Sequence, residues 1–227
     1  VVDPIMITWT GRSRAGRATR SNAPKSWRHN TFVAIDLETT GLDPVKDHIV
    51  SYGAVPIQRG SFRPADALYS LVSSPIPVPD RATRIHTLRD QDLTHAPELH
   101  KCVDALDAAL RGAVLVGYKV DIERFFLRRA FREYGRRFDV PMIDVAELVR
   151  MMDGPYSGHA FPEDLETAAA VLDLPIHPPH HALGDALTTA TLFLAAATYL
   201  ERQFEPLTTS RLLAISDARM GRQRRTR

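Results

Sequence analysis

Residues 32–42 read Phe-Val-Ala-Ile-Asp-Leu-Glu-Thr-Thr-Gly-Leu, and this run limits the possible folds more than any other. Its apolar and β-branched residues, closed by a Thr-Thr-Gly turn, predict a strand. Strand side chains alternate between faces, so Val33, Ile35 and Leu37 point one way. Ala34, Asp36 and Glu38 point the other, which sets two carboxylates side by side at the strand end. Neighbouring carboxylates repel, and burial raises the cost. A divalent cation between them removes the conflict, and carboxylate oxygens suit Mg²⁺ or Mn²⁺. An isolated Asp-x-Glu is more often two solvated acids on an exposed edge strand, so the rest of the chain must decide.

The chain's 227 residues are enough for one sizeable core with tails, and neither an internal repeat nor a second domain is visible. Its one cysteine, Cys102, excludes an internal disulfide and fits a reducing compartment such as the cytoplasm. The first residues lack the apolar centre of a signal peptide. The longest apolar candidate for a membrane span, Thr191 to Leu200, is about half the length needed and reads as a buried helix, so no membrane is expected.

A net charge of +2 conceals an asymmetry. Residues 1–29 carry six bases and one acid, and residues 217–227 carry five bases and one acid. The remaining body holds eighteen bases and twenty-five acids, a net −7. Basic tails on an acidic body suit a polyanion held near a metal-loaded cleft, although Arg-rich tails are also common as solvated disorder. The charge pattern therefore sets off a basic, loosely held segment 1–29 and a basic C-terminal tail.

Strands are predicted over Ile49 to Arg59 and Ser61 to Val72, and their short connections make the first three strands an antiparallel meander. The three prolines between Ser73 and Pro79 enforce a loop. Helices follow at Arg81–His86, Asp90–Leu93 and Glu98–Arg111. Ala113 to Gly117 reads as a strand buried on both faces. A helix over Asp121–Tyr134 ends at Gly135. Phe138 to Val145, broken by Pro141, reads as an edge strand. Helices over Glu147–Met152, Asp164–Leu172 and Ala182–Arg202 complete an α/β layer fold.

Two later stretches carry further chemistry. In the Asp121 helix the apolar stripe is Phe126, Leu127, Ala130 and Tyr134, which puts Glu123 on the buried side one turn earlier. Asp121 is rotated about 200° away and stands where an N-cap belongs. A carboxylate on a core face needs a partner, and either a metal at Asp36 and Glu38 or an Arg across the interface would serve. Near the end, His180-His181-Ala182-Leu183-Gly184-Asp185 follows a Pro-Pro pair. Asp185 falls in the first helical turn, where the helix dipole favours a carboxylate. One of the two histidines, on the rigid loop facing the same cleft, could act as general base; taken alone, such a pair is more often structural.

Asp36-Leu37-Glu38-Thr39-Thr40-Gly41-Leu42 resembles the first motif of the DnaQ-like (DEDDh) 3′–5′ exonucleases. The run Val116 to Leu127 is similar to the second, and His180-x-Ala182-x-x-Asp185 to the third. The resemblance spans about residues 30–203 in the family's motif order and implies a domain there, leaving a short helix with the basic tail over 204–227. It implies an RNase H-like fold, a five-stranded mixed sheet with helices on both faces. It selects His180 over His181 as the base, and it implies catalytic and metal-holding roles for Asp36, Glu38, Glu123 and Asp185 around two Mg²⁺ or Mn²⁺ ions. It puts Leu42, with Thr39 and Thr40, at the terminal nucleotide. The partner implied is a nucleic acid with a free 3′ end, with a polymerase or repair protein as a further possibility. Removal of nucleoside 5′-monophosphates from single-stranded DNA is the leading expectation. RNA trimming, polymerase-bound proofreading and an inactive binding relative are the alternatives. The chain departs from the family pattern at Glu123, where Asp is usual, and at Tyr118-Lys119, where His-Asn is common. Lys119 reads either as a phosphate contact or, preferably, as a plain surface residue.

Overall fold

The computed structural model describes residues 25–152 and 162–223, with side chains to residue 217. Of the expected loose segment 1–29, residues 1–24 lie outside the described residues, as do the basic residues at the extreme C-terminus. Residues 27–29 are not loose but form a short 3-10 turn with Trp27 buried in the core.

Six strands form one mixed sheet. β1 (Thr31–Thr39) runs antiparallel to β2 (Ile49–Gln58), whose outer edge pairs with β3 (Ser61–Phe62) and β4 (Leu68–Leu71), both antiparallel. The other edge of β1 pairs in parallel with β5 (Val114–Gly117), which pairs in parallel with β6 (Met142–Asp144). The expected third strand is therefore present as two short pieces, split by a 3-10 turn at Pro64–Asp66. Pro64 has no N–H to give the ladder, so the strand leaves β2 there and returns at Leu68. This split accounts for six strands in place of five. β6 is an edge strand as the sequence suggests, but it begins only after Pro141, which removes the expected residues before it.

Helices cover both faces. Val33, Ile35, Leu37 and Leu115 pack against α3 (Leu99–Leu110) and α4 (Asp121–Glu133) through Val103, Leu106, Phe126, Leu127 and Phe131. Phe32, Ala34, Val55, Ile57 and Val116 face the opposite layer. This layer holds α5 (Val145–Val149), α6 (Leu165–Val171), α7 (Ala182–Glu201) and α8 (Thr209–Gln223). The split of alternate β1 residues between two clusters is the period of two made physical. Two short helices, α1 (Asp80–His86) and α2 (Asp90–Leu93), close the end of the sheet over Val50. α5 starts two residues before the expected helix because Asp144 caps it, its side chain accepting the Ala146 N–H at 3.0 Å.

α7 is long and apolar enough to cross a membrane by length and composition. That was not expected from the ten-residue apolar run alone. Here Ala186, Ala190, Phe193 and Ala197 are buried in the sheet-facing core, so the composition reflects a central helix. Its alanines permit close approach to the strands. Its far end is tied to the chain start: Trp27 Nε1 donates to Glu201 at 2.7 Å, Arg28 pairs with the same carboxylate at 2.8 Å, and the Trp27 N–H donates to the Leu207 carbonyl at 2.9 Å. Trp27, Leu207 and Leu212 all belong to the main core, so residues on both sides of the expected 30–203 limits contribute to it.

Candidate active site

The end of β1 meets the start of α7. Asp36 and Glu38 lie on the α7 side of the sheet, in alternate positions with Ala34. Opposite Asp36 on β2 is Gly53. A Cβ on Gly53 would lie 2.3 Å from the Ala182 carbonyl oxygen and 2.5 Å from the Leu183 Cα. The bare glycine gives the first turn of α7 its place against the sheet. Gly184 does the same on the outer side, where a Cβ would lie 2.2 Å from the Pro178 carbonyl oxygen. Asp185 is thereby carried to the strand, and ligand oxygens of Asp36, Glu38 and Asp185 all lie within 4.8 Å of one another.

Glu123 enters from the other side of β1, at the start of α4. It is buried, and its Oε2 has no hydrogen-bond partner. Asp121, two residues earlier, is exposed. The sequence placed Asp121 at the N-cap; it is instead the first helical residue, after Val120, and caps nothing. The backbone turn at Gly117–Val120 is set by Asp144, whose Oδ1 accepts the Lys119 N–H at 2.9 Å, so no side-chain cap is needed there.

Charge crowding shows in every acid. Burial, then the neighbouring Glu123, Glu38 and Asp185, hold the Asp36 carboxyl well above the usual carboxylate range. Glu38 is pushed to about 8 by burial and then by Asp185. Glu123 is also pushed to about 8, chiefly by burial. Asp185 rises less, to about 6, because the His180 N–H donates to its Oδ2 at 3.0 Å and opposes the burial. A fifth acid, Glu166 on α6, adds repulsion to both Asp36 and Asp185. Nothing local in the sequence marks Glu166, which is brought in only by the packing of α6 on α7.

These acids fit a divalent metal. They are hard oxygen donors, they are crowded beyond what water-poor surroundings tolerate, and one buried oxygen has no protein partner. Cations bound among them would relieve both the repulsion and the unmet acceptor.

The two histidines have different surroundings. His180 is exposed, with its backbone in the left-handed region at φ 54°. His181 caps α7, its Nδ1 accepting the Gly184 N–H at 3.4 Å, and its ring stacks on Tyr69 with centroids 4.7 Å apart. A third histidine, His86, was not singled out from the sequence. It is buried at the end of α1, its Nδ1 accepts the Leu88 N–H at 3.1 Å, and its Nε2 has no hydrogen-bond partner. Burial lowers its pKa, with His180 adding to the effect.

The turn after β1 is tightly built. The Thr40 hydroxyl donates to Asp47 Oδ1 at 2.9 Å and accepts the His48 N–H at 3.0 Å, so this fully buried side chain is committed to the turn and not to the cleft. The Thr39 hydroxyl donates to the Gly41 carbonyl at 2.7 Å. Arg129 Nη1, reaching across from α4, donates to the Pro44 and Asp47 carbonyls at 2.9 and 2.8 Å. Leu42 stands 73% exposed on this braced turn. Lys119 pairs with Glu163 at 3.1 Å.

A mixed sheet flanked by helices, with acids from its central strand and two helices gathered at one end, is the form of an RNase H-like nuclease domain. The exonuclease family model of the RNase T type matches residues 33–193, and the chain belongs to the DnaQ-like (DEDDh) 3′–5′ exonuclease family. The family is metal-dependent, and the acidic cluster is of a kind that can hold a metal ion. A DNA polymerase III subunit epsilon-like protein of Rhodobacter capsulatus is 33% identical over 165 residues, covering 72% of this chain and 23% of that protein. The 3′-5′ exonuclease DinG of Staphylococcus haemolyticus is 26% identical over 179 residues, covering 77% and 19%. The chain thus spans about a fifth of the length of these relatives. Among solved structures, exonuclease X in complex with 5′ overhanging duplex DNA superposes with a TM-score of 0.63 at 19% identity, covering 82% of this chain and 99% of that one. E. coli exonuclease I in complex with a dT13 oligonucleotide gives 0.67 at 16% identity, covering 78% and 43%. At those identities the likeness is one of fold.

Proposed function

We propose that the chain removes nucleoside 5′-monophosphates from the 3′ ends of DNA, single strands preferred, by hydrolysis that depends on two divalent cations. The observation that carries this reading is the meeting of Asp36, Glu38 and Asp185 within 4.8 Å; Glu123, whose buried Oε2 has no partner, stands outside that trio but acts electrostatically on Asp36. Bound there, Mg²⁺ or Mn²⁺ ions supply a water of lowered pKa and neutralise charge on the departing 3′ oxygen. Asp36, Glu38 and Asp185 hold the ions, and Glu123 positions them or their waters. His180, exposed beside Asp185, takes the proton of the attacking water. Leu42 offers an apolar face to the terminal base, and Thr39 acts through the strand end it closes. The Thr40 hydroxyl serves by shaping that turn.

The test is digestion of 5′-labelled single-stranded DNA and RNA with Mg²⁺, with Mn²⁺ and with chelator. Stepwise shortening from the 3′ end with metal, faster on DNA, is expected. Internal cuts, shortening from the 5′ end or activity in chelator would overturn the reading. A preference for RNA would move it to RNA trimming. The polymerase names among the relatives favour a second reading of the same chemistry, proofreading within a polymerase assembly. Stable copurification of the chain with a polymerase subunit would establish that role.

A further inference from the structure

The row through Asp36 continues past Gly53 to Tyr69 on β4: Asp36 pairs with Gly53, and Gly53 with Tyr69. Residues paired across a sheet share a face. Asp36 and Tyr69 therefore stand on the same side with only the bare glycine between them. The start of α7 lies over that glycine, since the Ala182 carbonyl and the Leu183 Cα occupy the space a side chain would take. The helix thus begins in a slot with Asp36 on one wall and Tyr69 on the other.

The Tyr69 ring does more than stand nearby. It is stacked on the His181 ring, with centroids 4.7 Å apart and planes 24° from parallel. His181 is the helix cap: its Nδ1 accepts the Gly184 N–H at 3.4 Å and its carbonyl accepts the Asp185 N–H at 2.9 Å. The residue on one side of it is His180, whose N–H holds Asp185 Oδ2. Gly53 offers no side chain to hold the helix start against Asp36, and the stacked pair adds a side-chain contact there.

We propose that Tyr69 is a positioning residue for the metal cradle, acting through His181 to fix the first turn of α7 and so the approach of Asp185 to Asp36. Its stacked ring, not its hydroxyl, does this. The inference rests on the reading of the acids as a metal site, and it assigns Tyr69 no contact with substrate or metal.

The test uses the full chain with Tyr69→Ala, Tyr69→Phe, His181→Asn and the double change Tyr69→Ala/His181→Asn. Asparagine keeps the cap acceptor and removes the stacking ring. The first readout, taken without nucleic acid, is the Mn²⁺ concentration giving half of the metal-induced rise in melting temperature. Tyr69→Ala should raise it about tenfold, the scale of an outer-shell loss at a metal site. Tyr69→Phe should stay within about twofold, and Tyr69→Ala should add nothing in the His181→Asn background. The second readout is cleavage of a labelled single strand, where Tyr69→Ala should need more Mn²⁺ with an unchanged KM for the oligonucleotide. An unchanged Mn²⁺ midpoint in Tyr69→Ala would overturn the proposal. So would multiplying effects in the double change, or a loss in Tyr69→Phe equal to that in Tyr69→Ala. Should Tyr69→Ala fail to fold, Tyr69→Leu, which keeps the strand covered, replaces it under the same criteria. If the wild-type chain binds Mn²⁺ but cuts no nucleic acid, the nuclease reading falls while the midpoint comparison still decides this one.

Discussion

The backbone N–H of His180 donates to Oδ2 of Asp185 at 3.0 Å. The proposed base and a proposed metal ligand are thus joined by a bond that a side-chain change at position 180 leaves in place. His180→Asn also suits the left-handed backbone there, where asparagine is well tolerated. His180→Asn should lower kcat by about 10²–10⁴-fold, the range for losing a general base. It should keep the Mn²⁺-induced rise in melting temperature, whereas Asp185→Asn should lose both. Thermal melts with and without Mn²⁺, run beside single-turnover cleavage, separate the two.

Gly53→Ala tests the close approach of α7. The added carbon has backbone atoms 2.3–2.5 Å away, too near to be accommodated without moving the helix. Since misplacement of about 1 Å can cost about 10²-fold in rate, cleavage should fall by at least that factor. Near-wild-type turnover in a folded Gly53→Ala protein would show that α7 need not sit where the structure has it.

Glu123 and Asp121 should separate sharply. Above about pH 8, where its carboxyl is charged, Glu123→Gln removes a buried charge whose Oε2 has no partner, so the metal-free protein should melt at a higher temperature there, while activity drops by orders of magnitude. Asp121→Asn alters an exposed residue and should change both by little. Opposite signs for stability and turnover at position 123 are the outcome to look for.

The acids also predict a pH effect on stability. Glu38 and Glu123 are held near 8 in the fold against an ordinary 4.5, so they bind protons more tightly folded than unfolded. The metal-free fold has their full contribution below about 4.5 and loses it as pH rises through about 8. Divalent metal binds the deprotonated acids and offsets that loss. The rise in melting temperature on adding Mn²⁺ should therefore grow between pH 5.5 and 8; a gain independent of pH would contradict the assigned protonation.

Much of the site could be read from local pattern. The two-residue period of β1 fixes which face Asp36 and Glu38 share. The 3.6-residue period of α4 separates buried Glu123 from exposed Asp121. Asp185 follows from its place in the first turn of a helix too apolar to lie anywhere but the core. Features set by distant packing were not legible. Gly53 looks like any strand glycine until a helix some 130 positions later lies across it. Glu166 and His86 gain their meaning only from neighbours far along the chain. Tyr69 and His181 likewise meet through the β2–β4 pairing, which no local period encodes. The division of the third strand, by contrast, was available in Pro64, since a residue without an N–H cannot hold a ladder at that point.

The fastening of Trp27 and Arg28 to Glu201, with Leu207 beside them, bears on how the protein is handled. Anyone shortening the gene to the motif-bearing stretch would cut on both sides of this clasp and lay bare Phe32 and Phe193, against which the Trp27 ring packs. The helix that delivers Asp185 would then lose the hydrogen bonds that hold its far end. Expression clones should accordingly begin before Ser26 and run past Ser216, whose hydroxyl still serves the Asp144 N–H from the last helix.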